Sequence, residues 1–143
     1  MTDNEIKSTR LVPHARTKVF QAHSDPALLT QWWGPNGFTS TFHEFDFRNG
    51  GRWRFTFHGP DGKNYANEWE FREIATDERI DFDHISAPRF RLVITLSDEG
   101  DKTRIDWLAT FESAQVLTGL KHIIVPANEE NFDRLEAVLL KMK

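Results

Sequence analysis

The chain contains no cysteine, only one tyrosine and two methionines, and no long apolar run. Without cysteine it has neither disulfides nor thiolate metal ligands, so the redox compartment is left open. A membrane-spanning helix needs roughly 18 or more consecutive apolar residues, and no stretch comes close to this. The polar N-terminus, residues 1–10, also lacks the apolar segment of a signal peptide. We therefore expect no membrane insertion and take the cytoplasm as the default location.

An excess of basic residues is also missing. The 18 lysines and arginines are outnumbered by 22 aspartates and glutamates, which gives a net charge of −4. A nucleic-acid surface needs a basic excess, so no nucleic-acid partner is expected. The 6 histidines show no metal-ligand spacing, and neither a GxSxG motif nor a glycine-rich phosphate loop occurs. The sequence therefore predicts no metal, no cofactor and no catalytic constellation.

Aromatic residues, in contrast, are abundant and make up 13% of the 143 residues, with 12 phenylalanines and 5 tryptophans. This length is typical of a single domain, which we expect to span residues 1–143, with residues 1–8 as a polar, disordered tail. Large aromatic side chains either fill a core or line a cavity that aliphatic packing would close. Composition alone leaves both interpretations open.

The N-terminal third predicts one strand and two short helices. Residues 9–12 read as a strand that ends at proline, and residues 14–23 read as a helix. Ser24-Asp25-Pro26 is a helix-start signal, so a second helix should cover residues 27–33 and end at Gly34-Pro35. The adjacent tryptophans at its end, Trp32 and Trp33, cannot both face the same neighbour in a regular helix.

The middle of the chain alternates with a period of two, which is typical of half-buried antiparallel strands. Six such strands follow one another through short turns between residues 39 and 111. Phe42 has the opposite parity to Phe45 and Phe47, which a β-bulge or a two-sided strand would explain. Charged side chains of the other parity should form a solvated outer face paired with arginines. These acidic residues are Glu68, Glu70, Asp81, Asp83 and Asp106.

The C-terminal residues return to helical spacing. Residues 113–120 predict a short helix, and a long amphipathic helix should begin at Pro126-Ala127-Asn128. Together these elements predict an α+β helix-grip fold. In that fold a curved antiparallel sheet of about six to seven strands wraps around the C-terminal helix, and two short helices follow the first strand. The space between sheet and helix is the natural place for a ligand.

Several motifs in order along the chain resemble a known family. They are Gln31-Trp32-Trp33-Gly34-Pro35, Gly50-Gly51-Arg52-Trp53-Arg54-Phe55, Gly59-Pro60-Asp61-Gly62 and Asn131-Phe132-Asp133-Arg134-Leu135. The pattern resembles the SRPBCC superfamily, whose fold is START/Bet v1-like, and within it the single-domain AHSA1-like group. The resemblance covers roughly residues 9–141.

The resemblance implies a helix-grip domain with a deep cavity, which different members use for lipids, polyketides or other apolar molecules. Some relatives are cyclases, one kind is a self-sacrificing antibiotic-resistance protein, and the eukaryotic namesake is a co-chaperone. The namesake binds its chaperone largely through an additional N-terminal domain that this sequence does not contain. A chaperone partner is therefore not expected.

The predicted cavity-lining residues are those on the aromatic face of the strands, one of the two tryptophans and the apolar face of the last helix. They are Trp33, Trp53, Phe55, Phe57, Tyr65, Asn67, Trp69, Phe82, His84, Leu92, Ile94, Trp107, Phe132, Leu135 and Leu139. Three of them are polar, and each has two interpretations. Asn67 either bonds neighbouring backbone or anchors a ligand, and His84 is either a satisfied rim residue or a proton-transfer group. The Tyr65 hydroxyl either lines the cavity or reaches solvent.

The leading functional hypothesis is binding of a small hydrophobic molecule, aromatic, polyketide-like or lipid-like, in this cavity. One alternative is a cyclase or aromatase that uses the same cavity, and another is a co-chaperone-like interaction module. The sheet also leaves edge strands and an outer face with Phe42, Val93 and Leu108, which is compatible with a homodimer. Of the two tryptophans, Trp33 is the one expected to face the cavity.

Overall fold

The computed structural model describes residues 4–86 and 88–142, which form one seven-stranded sheet and three helices. The elements in chain order are β1 (Glu5–Val12), α1 (Arg16–Ser24), α2 (Pro26–Trp32), β2 (Thr39–Phe45), β3 (Arg52–His58), β4 (Asn64–Ala75), β5 (Arg79–His84), β6 (Phe90–Glu99), β7 (Lys102–Phe111) and α3 (Ala114–Lys141). All neighbouring strands are antiparallel, in the order β1-β7-β6-β5-β4-β3-β2. This confirms the predicted α+β helix-grip fold.

The first strand begins earlier than the sequence indicated. Residues 5–8 pair with β7, with Ile6 opposite Ala109 and Ser8 opposite Trp107, so the expected tail is wrong for these residues. Ile6 and Ser8 are both buried, and this burial stabilises the pairing of the segment with β7. Residues 1–3 of the expected tail lie outside the described residues.

A β-bulge in β2 explains the change of parity among its phenylalanines. The register with β3 shifts between Phe42 and Glu44, so Phe42 and Phe45 end up on the same side of the sheet, with ring centroids 6.0 Å apart. Both rings pack against Trp53 and the core. The placement of Phe42 on the outer face was therefore wrong, whereas Val93 and Leu108 pair across β6 and β7 and are half-buried there. A homodimer through this face stays a prediction.

The C-terminal residues form one helix of 28 residues rather than the two that were predicted. Ser113 caps its start, because the Ser113 hydroxyl accepts a hydrogen bond from the Val116 amide at 3.2 Å. Pro126 lies inside the helix and removes one backbone hydrogen bond there. The sequence interpretation took this proline as a helix start, whereas the chain continues helical on both sides of it.

The two halves of α3 meet the sheet differently. In the C-terminal half Phe132, Leu135 and Leu139 are completely buried, and the Phe132 ring lies 4.5 Å from that of Trp107. Arg10 of β1 also binds acidic side chains of this half, including Asp133 at 3.0 Å. In the N-terminal half, residues 114–125, only Leu117 is buried. The groove between sheet and helix is therefore closed at one end and open at the other.

The outer face of the sheet carries ion pairs between strands, as predicted, with one exception. Arg52 contacts Glu68 at 2.6 Å, and such exposed pairs contribute about 0–1 kcal/mol each. Asp81 was expected to be solvated, but it is only 4% exposed. Arg91 covers it with two hydrogen bonds, at 2.9 and 2.6 Å, and Arg79 approaches from the other side at 3.4 Å. The bidentate arginine is what allows this carboxylate to be buried.

Candidate functional site

A cavity of about 270 Å³ lies between the N-terminal half of α3 and the concave face of the sheet. Ile123, 56% exposed, marks its mouth. Four of the lining residues are polar and the others are apolar, glycine or proline. The lining consists of Trp33, Gly34, Pro35, Phe57, Asn67, Trp69, His84, Pro88, Phe90, Leu92, Trp107, Ala109, Phe111, Leu120, Ile123, Ile124, Ala127, Asn128 and Asn131.

The two adjacent tryptophans at the end of α2 pack against each other, with ring centroids 5.5 Å apart, and both contact Trp107. Both can do so because the helix ends at Trp32 and Trp33 is extended, with φ −68° and ψ 122°. Trp32 is fully buried, and its indole donates to the Ala22 carbonyl at 2.9 Å. Trp33 lies between the closed core and the open cavity, with its ring centroid 5.2 Å from that of Trp53 and 5.5 Å from that of Trp107. Both rings are thus buried, and Trp33 is the one that lines the cavity.

Seven of the fifteen predicted residues line the cavity. They are Trp33, Phe57, Asn67, Trp69, His84, Leu92 and Trp107. Six of these come from five neighbouring strands, β3 to β7, whose side chains of one parity face α3. The alternation in the sequence therefore places them correctly on the concave face.

The other eight predicted residues do not line this cavity. Seven are buried in the closed part of the core, where the C-terminal half of α3 and the two short helices cover the sheet; the void beside α1 and α2 measures only about 10 Å³. These are Trp53, Phe55, Phe82, Ile94, Phe132, Leu135 and Leu139. Tyr65 is 42% exposed instead, and its hydroxyl lies 3.3 Å from the Asp61 carboxylate at the β3–β4 turn. Of its two interpretations, the structure supports the solvent one.

Twelve lining residues were missed by the sequence reasoning. Phe90, Ala109 and Phe111 have the same parity as predicted neighbours on their strands, so alternation contained a signal for them. Leu120, Ile123 and Ile124 were missed because residues 113–120 were assigned to a separate short helix that ended before the long one began. Asn131 was missed because it is polar, although it is spaced four residues before the buried Leu135 and therefore shares its helix face.

The polar side of the cavity is a hydrogen-bonded group around His84. Nδ1 of His84 lies 2.8 Å from the Pro88 carbonyl oxygen, which can only accept, so Nδ1 carries the proton. Nε2 lies 2.8 Å from Oδ1 of Asn67 and 3.1 Å from the Ser86 hydroxyl. The Ser86 hydroxyl already accepts from the Glu68 amide at 3.2 Å, so its own proton is available to Nε2.

Burial lowers the pKa of His84 below its usual value, while the bond to Pro88 opposes that shift. A neutral imidazole with its Nδ1 proton on Pro88 can only accept at Nε2, where the Ser86 hydroxyl donates; Asn67 Oδ1 at 2.8 Å is also an acceptor and pairs with Nε2 only in the imidazolium form. Asn67 also donates to the Tyr65 carbonyl at 3.2 Å. Both side chains thus have partners within the protein and also line the cavity; a ligand anchor at Asn67 and a proton-transfer role of His84 stay predictions.

Asn131 ties α3 to the segment that follows α2. Its Oδ1 accepts a hydrogen bond from the Gly34 amide at 3.1 Å. The carbonyls of Gly34 and Pro35 accept from Arg134 at 2.8 and 2.9 Å. The backbone acceptors at this end of the cavity are thus occupied, and the segment 34–35 is held in place by two side chains one helical turn apart.

Three indole nitrogens are buried without a hydrogen-bond partner, those of Trp53, Trp69 and Trp107. Trp69 and Trp107 line the cavity, and their rings form its wall together with Phe90 and Phe111. Among the described residues these nitrogens are sealed from solvent, and Trp53 shares the feature in the closed core, so the rings of Trp69 and Trp107 present apolar surface to the cavity.

A second, shallower depression of about 240 Å³ shares His84, Phe90 and Phe111 with the cavity but opens to the outer side. Its remaining lining includes Arg89 and Glu112, so it is charged where the cavity is apolar. Among residues 4–86 and 88–142 no group of three or more His, Asp or Glu side chains is arranged to hold a metal ion. No helix in the same ranges is long and apolar enough to cross a membrane.

The fold recurs in solved structures of low sequence identity. A protein from Nitrosomonas europaea is 18% identical with a TM-score of 0.92, over 99% of this chain and 97% of that one. A protein from Mycobacterium smegmatis is 24% identical with a TM-score of 0.87, over 97% and 92%. An AHSA1 protein from Silicibacter pomeroyi is 17% identical with a TM-score of 0.78, over 96% and 98%. At these identities the likeness establishes the fold alone.

The comparison with curated proteins gave no match. The family described as Activator of Hsp90 ATPase homolog 1-like protein matches residues 13–139, which is most of the chain and includes the whole cavity lining. This chain therefore belongs to the Activator of Hsp90 ATPase homolog 1-like family.

Proposed function

We propose that the protein binds a small apolar molecule in the cavity between α3 and the sheet. The observation that supports this is the cavity itself, about 270 Å³ with only four polar residues among nineteen in its wall. Ligand sites are typically concave and apolar with a few placed polar groups, and range from roughly 300 Å³ upward. The volume thus favours a compact ring compound over a long lipid chain.

Filling the cavity tests the proposal. Leu120→Trp places a large ring in the cavity wall, whereas Leu140→Trp adds the same ring on the same helix at a position that is 76% exposed. We expect an uncharged fluorescent dye, Nile red, to bind the parent protein and the Leu140 variant but not the Leu120 variant. Circular dichroism would check that both variants are folded. Equal dye binding by the two variants would contradict the proposal.

The tryptophans provide a second readout. In a proton–nitrogen NMR titration with Nile red, the indole signals of Trp33, Trp69 and Trp107 should shift, because these side chains line the cavity. The indole signal of Trp32 should stay in place, because its nitrogen is bonded to Ala22 away from the cavity. Trp33→Ala should accordingly weaken dye binding more than Trp32→Ala, and the reverse order would contradict this placement. Native mass spectrometry of gently purified protein would identify a co-purified molecule.

A second candidate function is proton-transfer catalysis in the same cavity, of the kind that cyclases use. It is favoured by His84, whose Nδ1 is held by Pro88 so that Nε2 is on the cavity side. His84→Gln should then abolish turnover of a polyketide-like substrate while leaving dye binding within about twofold of the parent. Unchanged turnover would remove this candidate. The co-chaperone activity in the family name is not carried over, because the match establishes kinship and not a partner.

A further inference from the structure

The side-chain nitrogen of Asn131 donates no hydrogen bond within the described residues. Asn131 lines the cavity and is only 7% exposed. Its Oδ1 is bound to the Gly34 amide, which can only donate, so the orientation of the side-chain amide is determined. The other end of the group, Nδ2, has no hydrogen-bond partner among the described residues, and it is not among the polar atoms sealed from solvent. Its two protons are therefore available to a molecule in the cavity.

Acceptors near this nitrogen are already occupied. Arg134 binds the carbonyls of Gly34 and Pro35, so neither can turn to a ligand. A buried donor left unpaired costs free energy, and a ligand that carries an acceptor removes that cost.

Charge in the cavity wall is missing as well. None of the lining residues is Asp, Glu, Lys or Arg, within the ranges that the structure describes. A charged ligand would have to leave water without a partner of opposite sign, which is strongly unfavourable. The cavity is therefore unsuited to a carboxylate or an ammonium group.

We propose that the cavity selects an uncharged apolar molecule with a hydrogen-bond acceptor, such as a ketone, and that Nδ2 of Asn131 donates to that acceptor. This inference rests on the proposed function. The ligand class is thus a neutral carbonyl-bearing ring compound rather than a fatty acid or a plain hydrocarbon. The geometry of Asn131 orients the ligand, with the acceptor toward α3 and its apolar body against Trp69 and Trp107.

Three probes with the same two-ring skeleton test this: acetylnaphthalene, isopropylnaphthalene and naphthoate, substituted at the same ring carbon. Their dissociation constants would be measured by displacement of Nile red from the parent protein and from two variants at about pH 8, where an aspartate is ionised. Asn131→Asp keeps the acceptor for Gly34 but replaces the free donor. Gln115→Glu is the matched control on the same helix, because it makes the same change from amide to carboxylate at an exposed residue outside the cavity lining.

We expect Asn131→Asp to weaken the ketone roughly three- to tenfold more than the hydrocarbon, as the loss of one hydrogen bond predicts. The control variant should leave the ratio of the ketone and hydrocarbon dissociation constants within about twofold of the ratio in the parent protein. A measurement on the parent protein avoids any folding defect: the side-chain amide protons of Asn131 should move downfield with the ketone and not with the hydrocarbon. Naphthoate should bind the parent protein at least roughly tenfold more weakly than the ketone.

The outcomes separate this inference from the proposed function. If ketone and hydrocarbon lose affinity equally on Asn131→Asp, or if naphthoate binds more tightly than the ketone, the inference is wrong and the binding function stands. If no probe displaces the dye or shifts the indole signals of Trp69 and Trp107, the proposed function fails, and the inference fails with it.

Discussion

His23 makes the stability of the protein depend on pH in a way that can be calculated. This histidine lies between the rings of Trp32 and Trp107, with centroid distances of 4.8 and 6.5 Å. Its Nδ1 donates to the Val19 carbonyl at 2.8 Å, and its Nε2 is buried without a partner. Burial lowers the pKa of His23 from 6.5 to about 4, although the Val19 bond opposes the shift. Only the neutral imidazole fits this site.

The sign follows from comparing the two states. The unfolded chain binds a proton at His23 near pH 6.5, whereas the folded chain does so only near pH 4. Acid therefore favours the unfolded chain, and the free energy of unfolding falls as the pH drops below 6.5. Protonation of His23 can lower the free energy of unfolding by about 3 kcal/mol in total, and about 2 kcal/mol of this loss occurs between pH 8 and pH 5.

Urea unfolding between pH 8 and pH 5 measures this contribution. His23→Asn removes the titrating group, so the variant should lose about 2 kcal/mol less than the parent over that interval. The comparison concerns the pH dependence, so any constant cost of the substitution cancels. His122→Asn is the control, since His122 is exposed and the parent slope should persist. A His23 variant with the same pH slope as the parent would refute the reasoning.

Two further predictions concern glycines. Gly34 has φ +112°, and a Cβ there would lie 2.8 Å from Cε1 of Phe57. Gly34→Ala should therefore lower the free energy of unfolding, measured by urea titration, by roughly 2–4 kcal/mol. Gly50→Ala, also at positive φ but with open space around it, should lose only about 1–2 kcal/mol, and an equal loss at both sites would exclude the clash. Gly119→Ala should raise the melting temperature, because Gly119 lies within α3 and no atom lies near its Cβ position. Alanine is favoured over glycine inside a helix by roughly 0.8–1 kcal/mol, so a lower melting temperature would contradict this prediction.

The strands and their faces could be predicted because alternation depends only on the pleat. Trp69 and Trp107 were placed on the concave face in this way, and the parity change after Phe42 indicated the bulge that the structure contains. What alternation does not encode is how far the helix stands from the sheet. Trp53 and Trp69 are directly paired across β3 and β4, yet only Trp69 lines the cavity.

Trp53 lies against the α1–α2 segment, whereas Trp69 faces α3, where the sequence interpretation was weakest. Pro126 is ambiguous, because proline favours the first turn of a helix but is also found inside long ones. Reading it as a start hid the continuity of the helix and with it the residues of its N-terminal half. Asn131 was not predicted for a different reason. A polar residue is assigned to a buried helix face only when its spacing to an apolar residue of that face, here Leu135, is taken into account.

The free energy that holds α3 in place is distributed unevenly, and this bears on the binding function. Its C-terminal half has the buried Phe132 and Leu135 and the ion pairs of Arg10. The N-terminal half contains Gly119, is followed by Pro126, and has one buried side chain, so fewer contacts stabilise it. This half is also the wall of the cavity. A ligand would add apolar contacts to this half, so binding should stabilise the part of α3 that has fewer buried side chains.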